Sequence, residues 1–299
     1  MTGARLIAVA VGIVAMVTHV FAEDITPSKI FDKVKATYES MQTYRSQGII
    51  TSDIDSGAMK MNMETSFSIL LKKPNLYLIS WTQKDTPMPG MARSGAVWSD
   101  GTQPYLYMGM MNAYSKMGSD ELALASATGI SNGAAFTIPS LFLSVFKGQP
   151  VPFSRLKDPK MEKSEKIGEE DCYVVRGGST ISKEEAFWIS KSRSLILKYY
   201  RSLEPPEGGV ATPEITDAQL EEALKGMGQQ VTEESKQKMR EMMETSMDAL
   251  KAAQFKGFST ELHTEISLRE MDAKAFEFAV PEGAVLKDSL LGGVLGGRK

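Results

Sequence analysis

The sequence predicts a mainly β protein of the α+β class, built around one large antiparallel sheet. Short segments with a two-residue hydrophobic period follow one another, separated by turn-forming residues such as Lys73-Pro74-Asn75 and Ser99-Asp100-Gly101. Segments with a helical period are few. Because short strands joined by tight turns pair with their sequence neighbours, we expect an antiparallel meander rather than a parallel sheet.

A secretory signal peptide is predicted over residues 1–22. Arg5 precedes the apolar run 6–17, and Val20 and Ala22 stand at the small-residue positions before a cleavage point. The run is shorter than the ~20 residues that a membrane-spanning helix needs. We therefore expect a mature chain that begins at Glu23 and is exported to the periplasm. The residue directly after the cleavage point is Glu23 and not a cysteine, so lipid attachment there is not expected.

Net charge and cysteine content limit the kinds of partner and of stabilisation that this protein can have. The formal net charge is −3 and no basic cluster occurs, which argues against a nucleic-acid partner. Cys172 is the single cysteine, so intramolecular disulfides are excluded and a buried core must hold the exported chain together. The short apolar pattern around Cys172 predicts a small buried side chain there rather than a nucleophile.

The first elements after the leader are a helix and a long strand. Apolar residues recur at three- and four-residue steps over 27–41, with Thr26 as the helix cap and Pro27 in the first turn. The period then changes to two over 59–71, where Phe67 and the apolar residues around it share one face. Further strands are predicted over 76–82, 96–99, 105–108, 163–167, 172–176, 186–190, 195–200 and 258–268.

One segment interrupts the meander. A Pro- and Gly-rich linker begins at Glu204, and two stretches of helical period follow, each beginning at a threonine, Thr216 and Thr232. We interpret residues 204–256 as a helical insertion between strands of one half-barrel. The domain prediction is then a signal peptide (1–22), a first part of the half-barrel (23–203), the insertion (204–256), its last strands (257–290) and a disordered tail (291–299).

The residues argue against catalysis. His19 lies in the leader, so His263 is the single histidine of the mature chain, and its place in a strand beside Glu261 and Glu265 predicts a solvated surface side chain. With one histidine and one cysteine, a Cys/His zinc site is excluded. Phosphate-binding loops, GxSxG and HExxH motifs do not occur in the sequence. We expect a non-enzyme without cofactor or metal.

Methionine is the other unusual feature, with 19 in the chain. Two groups are Met59/Met61/Met63 and Met239/Met242/Met243/Met247. Flexible thioethers line surfaces that accept varied apolar partners, and they also bind Cu(I). Because Met61 and Met63 share a strand face with Phe67, we favour an apolar lining over copper, while an ordinary core without a ligand stays open.

Three motifs, in order, resemble the LolA-like periplasmic lipoprotein carriers. They are Leu70-Leu71-Lys72-Lys73-Pro74-Asn75-Leu76-Tyr77, Trp98-Ser99-Asp100-Gly101 with the following Tyr105-Leu106-Tyr107, and the closing segment 272–284. The resemblance covers 27–203 and 257–290. It departs from the carriers in the helical insertion, and in Lys73, which stands where they have an arginine. The chain therefore resembles an outlying member of the superfamily.

The resemblance implies an open, unclosed half-barrel of about eleven strands with a helical lid over a hydrophobic cavity for acyl chains. Lys73 would be a lid lock, looser than an arginine because lysine lacks the planar fork. The residues expected to line the cavity are Met59, Met61, Met63, Phe67, Ile69, Leu71, Trp81, Tyr107, Leu141 and Phe142.

The sequence thus predicts a periplasmic binding or carrier protein that holds acyl chains of a lipid or lipoprotein. The alternatives are a cell-envelope sensor or scaffold that uses the same fold to bind a protein partner, and a methionine-rich Cu(I) binder. The expected partners are acyl chains, with an envelope protein and transient membrane contact as further interactions, no nucleic acid and a monomeric state.

Overall fold

The computed structural model describes residues 25–55, 57, 60–84, 93–207, 209, 216–226, 229–252 and 256–290. The predicted signal peptide and the predicted disordered tail lie outside these ranges. Within them, no helix is both long enough and apolar enough to span a membrane.

Twelve strands in the described ranges form one sheet. They are β1 (Thr43–Asp55), β2 (Lys60–Lys72), β3 (Leu76–Lys84), β4 (Arg93–Asp100), β5 (Pro104–Met108), β6 (Ala113–Lys116), β7 (Leu156–Ile167), β8 (Glu170–Ser179), β9 (Glu185–Ser190), β10 (Ile196–Ser202), β11 (Lys256–Ser267) and β12 (Val285–Leu286). The sequence prediction omitted β1, β6 and β12.

The sheet is open, as predicted, with the order β12-β6-β5-β4-β3-β2-β1-β11-β10-β9-β8-β7. All pairs are antiparallel except β12 with β6, which is parallel. Two meanders, β1 to β6 and β7 to β10, are joined by β11, which pairs with both β1 and β10. Because β7 and β12 stand at opposite edges and do not pair with each other, the sheet does not close into a barrel.

Five α-helices accompany the sheet in the described part of the chain: α1 (Pro27–Ser40), α2 (Asp120–Ile130), α3 (Pro139–Phe142), α4 (Asp217–Gly226) and α5 (Glu233–Ala252). The predicted cap of α1 is confirmed, since the Lys29 amide donates to Thr26 Oγ1 at 3.4 Å. The helices α4 and α5 lie between β10 and β11 in the chain and pack on each other through Leu220, Leu224 and Met239.

The two faces of the sheet carry separate apolar clusters, because successive strand residues point to opposite sides. On the concave face, strand side chains pack against α1 and the segment 119–155, and this is the main core. On the convex face, Trp98 and Tyr107 pack against Phe278 of the closing segment. The concave face is therefore covered by two short pieces of chain, α1 and the segment 119–155.

Two glycines allow large rings to lie flat against the concave face. Across β11, β1, β2, β3 and β4, one register row reads His263, Gly48, Phe67, Trp81, Gly95. A Cβ at Gly48 would lie 2.3 Å from Phe67 Cζ, and one at Gly95 would lie 2.3 Å from a ring carbon of Trp81. The rings thus occupy the space that side chains at the glycine positions would fill.

Candidate functional site

The segment 119–155, called here the covering segment, lies over the concave face. Ser119 begins it as the cap of α2, with the Leu122 amide donating to its hydroxyl at 3.2 Å. The helix α3 begins with Pro139, which fits the first turn of a helix. Small side chains face the sheet: Ala123, Ala127, Ala134 and Ala135 are all fully buried. They let the backbone of the covering segment approach the sheet closely.

One register row of the sheet makes several hydrogen bonds to the covering segment, while Asp120 and Arg155 bond Tyr77 and Glu185 outside that row. The row runs across β10, β11, β1, β2 and β3 as Tyr199, Glu261, Ile50, Thr65 and Gln83.

Three of its members are hydrogen-bonded to residues 130–137 of the covering segment. Thr137 Oγ1 donates to Glu261 Oε2 at 2.6 Å, and Asn132 Nδ2 donates to Thr65 Oγ1 at 2.9 Å. Gln83 Nε2 donates to the carbonyl of Ile130 at 3.4 Å. We call Glu261, Thr65 and Gln83 the latch row.

Glu261 and His263 are buried, which corrects the prediction of a solvated histidine. Their residues are 4% and 3% exposed, whereas Phe258 on the alternate face of β11 is 39% exposed. His263 Nδ1 lies 3.1 Å from Ser46 Oγ. His263 Nε2 lies 3.1 Å from Glu261 Oε1, within ion-pair distance, although the two groups are not aligned for a hydrogen bond. The concave side of β11 is therefore its polar side.

A first cavity of about 830 Å³ opens where the end of α1 meets the covering segment. Leu141, Phe142 and Phe146 line it on the apolar side. Charged side chains at its rim are Lys35, Glu39, Lys73 and Lys147. Two of the predicted cavity residues, Leu141 and Phe142, are thus brought together here, next to the predicted lid lock.

Lys73 joins three elements at this cavity. Its Nζ donates to the carbonyl of Tyr38 at 3.1 Å and to that of Glu39, both in the last turn of α1. The same Nζ lies 5.1 Å from the ring centroid of Phe142, within cation–π range. Burial lowers the pKa of the Lys73 ammonium, and the nearby Glu39 carboxylate opposes that shift. Lys73 therefore caps α1 while touching α3.

A second cavity of about 460 Å³ lies between the other end of the covering segment and the sheet. Its floor contains one row of concave residues, Arg201, Ser259, Ser52 and Met63, in register across β10, β11, β1 and β2. Phe136 and Thr137 of the covering segment stand opposite. Of the predicted methionines, Met63 lines this cavity.

The same short segment forms a wall of both cavities. Phe136 lines the second cavity and Phe146 the first, and their rings meet edge to face with centroids 6.3 Å apart. A displacement of the covering segment would therefore join the two spaces into one trough along the concave face.

A buried ionic cluster closes the second cavity on the side of β9. Arg155 Nε donates to Glu185 Oε1 at 3.1 Å, and Arg155 Nη2 donates to Tyr199 Oη at 2.9 Å. Tyr199 Oη in turn donates to Glu185 Oε2 at 2.8 Å. Burial raises the pKa of Tyr199, which keeps this hydroxyl protonated as a donor. The positive charge of Arg155 is thereby paired with the carboxylate of Glu185.

The remaining predicted cavity residues fall into three groups. Phe67, Ile69, Leu71 and Trp81 lie on the concave face but are buried beneath α1 and the covering segment. Met61 is half-buried near the start of β2, and Met59 lies outside the described residues. Tyr107 requires a correction: it belongs to the convex cluster, because its neighbour Leu106 takes the concave side of β5.

Sequence reasoning missed the polar residues of the site, namely Thr65, Gln83, Thr137, Arg155, Arg201 and Glu261. Their signal in the sequence is weak. Glu261 and Arg201 stand in strands whose opposite face carries apolar residues, so the hydrophobic period assigns them to solvent. Among the described residues, clusters of three or more His, Cys, Asp or Glu side chains that could hold a metal ion are absent.

No protein family and no curated protein matches the sequence. Solved structures do match the fold. An uncharacterized conserved protein from Thermus thermophilus is 9% identical, with a TM-score of 0.41 over 87% of this chain and 97% of its own. A LolA superfamily protein from Nitrosomonas europaea is 13% identical, with a TM-score of 0.30 over 85% of this chain and 98% of its own.

The structures that match include a member of the LolA superfamily, the group that the sequence motifs resemble. The predicted open sheet is confirmed by the strand order of this chain, in which β12 and β7 stand at opposite edges. LprF from Mycobacterium bovis shares the likeness, at 7% identity and a TM-score of 0.39 over 82% of this chain and 93% of its own. At these identities the likeness concerns only the path of the chain, and the ligand of this protein has to be argued from its own residues.

Proposed function

We propose that this protein is an exported binding or carrier protein that holds the acyl chain of a lipid or lipoprotein on its concave face, beneath the covering segment. One observation carries the proposal. The covering segment walls both cavities, and its contact with the sheet is mainly apolar. Its polar contacts with the sheet are the three hydrogen bonds of the latch row, the bond from Tyr77 to Asp120 and the cluster of Arg155 with Glu185 and Tyr199.

A bound acyl chain would offset part of the free energy that is lost when the covering segment leaves the sheet. Three neutral or charge-assisted hydrogen bonds contribute roughly 1 kcal/mol each to holding the segment in place. Burial of a dodecyl chain stabilises a complex by about 0.8 kcal/mol per methylene, or roughly 9 kcal/mol in total. This stabilisation exceeds the free energy lost with the three latch-row hydrogen bonds. It also offsets part of the free energy lost when the apolar side chains of the covering segment leave the sheet.

In this proposal the side chains of Phe67, Ile69 and Trp81 are the surface on which the chain is held once the covering segment moves away. Lys73 restrains α1 and α3 on the other side of the trough. Loading and release are then movements of a lid, as in other proteins in which a mobile segment sequesters a ligand.

The proposed compartment is the periplasm, which rests on the predicted signal peptide over residues 1–22. We further propose that the protein acts as a monomer and that the helical insertion, 204–256, is an addition to the half-barrel. Transient contact with a membrane or an envelope protein would accompany loading and release.

A charge placed in the trough tests the proposal. Met63 lines the second cavity and is half-buried, so Met63→Glu introduces a carboxylate where an acyl chain would pass. An unpaired charge in an apolar site is costly by several kcal/mol. We expect the mature Met63→Glu variant to lose binding of a fluorescent fatty-acyl probe while it still unfolds cooperatively. Met110→Glu is the matched control, since Met110 is 50% exposed.

Two outcomes would contradict the proposal. Wild-type protein that binds no acyl probe, or a Met63→Glu variant that binds it as well as the wild type, would show that the concave face is an ordinary closed core. The fold would then serve a sensor or scaffold that meets a protein partner.

A further inference from the structure

Arg201 is a cation without an ion-pair partner among the described residues, on the floor of the second cavity. It is half-buried on β10 and pairs in register with Ser259 of β11, which pairs with Ser52 of β1. The hydroxyls of Ser52 and Ser259 are 3.0 Å apart and face the same cavity. The side chain of Arg201 lines this cavity together with them.

The other charged groups that line this cavity have polar partners among the described residues. Arg155 is matched by Glu185 through two hydrogen bonds. Glu261 accepts a hydrogen bond from Thr137 and lies at ion-pair distance from His263. Of the two arginines that line this cavity, Arg201 is therefore the one that the described residues leave without an ion-pair partner.

Apolar side chains surround this cation. Ile54, Met63, Phe136 and Leu203 line the same cavity of about 460 Å³. A cavity of this size with a few convergent polar groups is typical of small-molecule sites. This lining fits a ligand that has one negatively charged oxygen group and is otherwise apolar.

We propose that the second cavity binds the acidic headgroup of an amphiphile, a carboxylate or a phosphate ester, with Arg201 as its main contact and Ser52 and Ser259 as supporting donors. The planar guanidinium binds both classes of oxyanion through two parallel hydrogen bonds. The chain of the ligand continues beneath the covering segment. The inference rests on the proposed acyl-chain binding and adds to it the headgroup class and its site.

Calorimetric titration of the mature chain tests the headgroup separately from the tail. The probes are dodecanoate, dodecyl phosphate and the neutral dodecanol, which share one tail, together with acetate and inorganic phosphate, which have none. We expect wild-type protein to bind at least one of the two acids about 10- to 100-fold more tightly than dodecanol, as a charge-assisted hydrogen-bond pair implies. Which acid binds more tightly identifies the headgroup.

Substitutions of Arg201 test whether the preference for acids over dodecanol depends on its guanidinium. Arg201→Gln should reduce the affinity for the acids to that for dodecanol and leave dodecanol binding unchanged. Arg201→Lys should retain part of the preference, because the charge remains without the fork. Arg45→Gln is the matched control, since Arg45 is exposed on β1 beside the inward-facing Ser46.

The outcomes separate the two proposals. Equal affinity for acid and alcohol, with Arg201→Gln like the wild type, overturns the headgroup site and leaves acyl binding standing. Acetate or phosphate that binds as tightly as its dodecyl counterpart also overturns it, because the site would then serve a free anion. Failure of all three dodecyl probes to bind overturns both proposals.

Discussion

Thr137 Oγ1 donates a 2.6 Å hydrogen bond to Glu261 Oε2, and this contact joins the covering segment to the centre of the concave face. Both residues are buried, at 2% and 4% exposure. A carboxylate in such a place is costly unless its oxygens are paired. The hydrogen bond to Glu261 Oε2 therefore exists only while the covering segment is in place. Displacement of the segment would leave this buried carboxylate oxygen without its donor.

Thr137→Val should loosen the covering segment without unfolding the sheet. Valine has nearly the same shape but leaves Glu261 Oε2 without its donor, which costs about 1–3 kcal/mol. We expect hydrogen exchange to accelerate over residues 128–142 while β8 and β9 keep their protection. Thr264→Val is the control, because Thr264 is exposed on β11 and bonds the Gln47 carbonyl. Equal exchange in wild type and Thr137→Val would refute the latch.

Lys73→Met should free the end of α1. The substitution removes the donor to the carbonyls of Tyr38 and Glu39, and a cation at the C-terminus of a helix contributes about 0.3–1 kcal/mol. We expect a lower midpoint of urea unfolding and faster association of an acyl probe. Lys33→Met, on the exposed side of the same helix, should change neither. Unchanged association kinetics in Lys73→Met would remove Lys73 from the gating of the trough.

Gly48→Ala should be one of the most damaging single-methyl additions in the sheet. The new Cβ would lie 2.2 Å from the Leu262 carbonyl oxygen and 2.3 Å from Phe67 Cζ. Overpacking of this kind costs about 1–3 kcal/mol. Gly129→Ala is the comparison, because its Cβ would meet nothing within 4 Å and Gly129 lies in α2. Similar urea midpoints for the two variants would mean that Phe67 does not lie against Gly48.

Cys172 should make stability fall with rising pH in the alkaline range. The thiol is buried, and burial raises its pKa to about 11 from the ordinary 9.0. The unfolded chain therefore releases this proton first, and the contribution of the neutral thiol is complete below pH 9 and is lost as pH rises towards 11.

Thermal unfolding between about pH 8 and 10 checks this prediction. Wild-type melting temperature should fall more steeply than that of Cys172→Ala, which is less stable throughout but lacks the titrating group. Buried tyrosines such as Tyr44 titrate later and affect both proteins alike. Parallel slopes would contradict the assignment.

The apolar skeleton of the fold was predictable from the sequence, whereas one central strand was not. Phe67, Ile69 and Leu71 alternate with polar residues on β2, so a period of two identifies the strand and its inner face. On β1 the inner residues include Ser46, Gly48 and Ser52, all small or polar. That alternation carries no hydrophobic signal, because neighbouring aromatic rings fill the space above β1.

β11 shows why the candidate site was harder to predict than the fold. Phe258 and Leu262 alternate as a buried face would, yet Glu261 and His263 are the residues that point inward. Their burial depends on Thr137 and Ser46, which are more than a hundred residues away in the sequence. A pairing of that kind exists only in the folded chain, so local pattern assigns both residues to solvent.

Photo-crosslinking tests the central claim most directly, that an acyl chain occupies the concave face beneath the covering segment. Mature protein would be irradiated with a fatty acid that carries a diazirine at the end of its chain, and the labelled peptides sequenced. The account predicts saturable labelling of β2, β3 and the covering segment that excess dodecanoate abolishes. Labelling confined to the convex cluster around Trp98 and Phe278, or labelling that does not saturate, would contradict it.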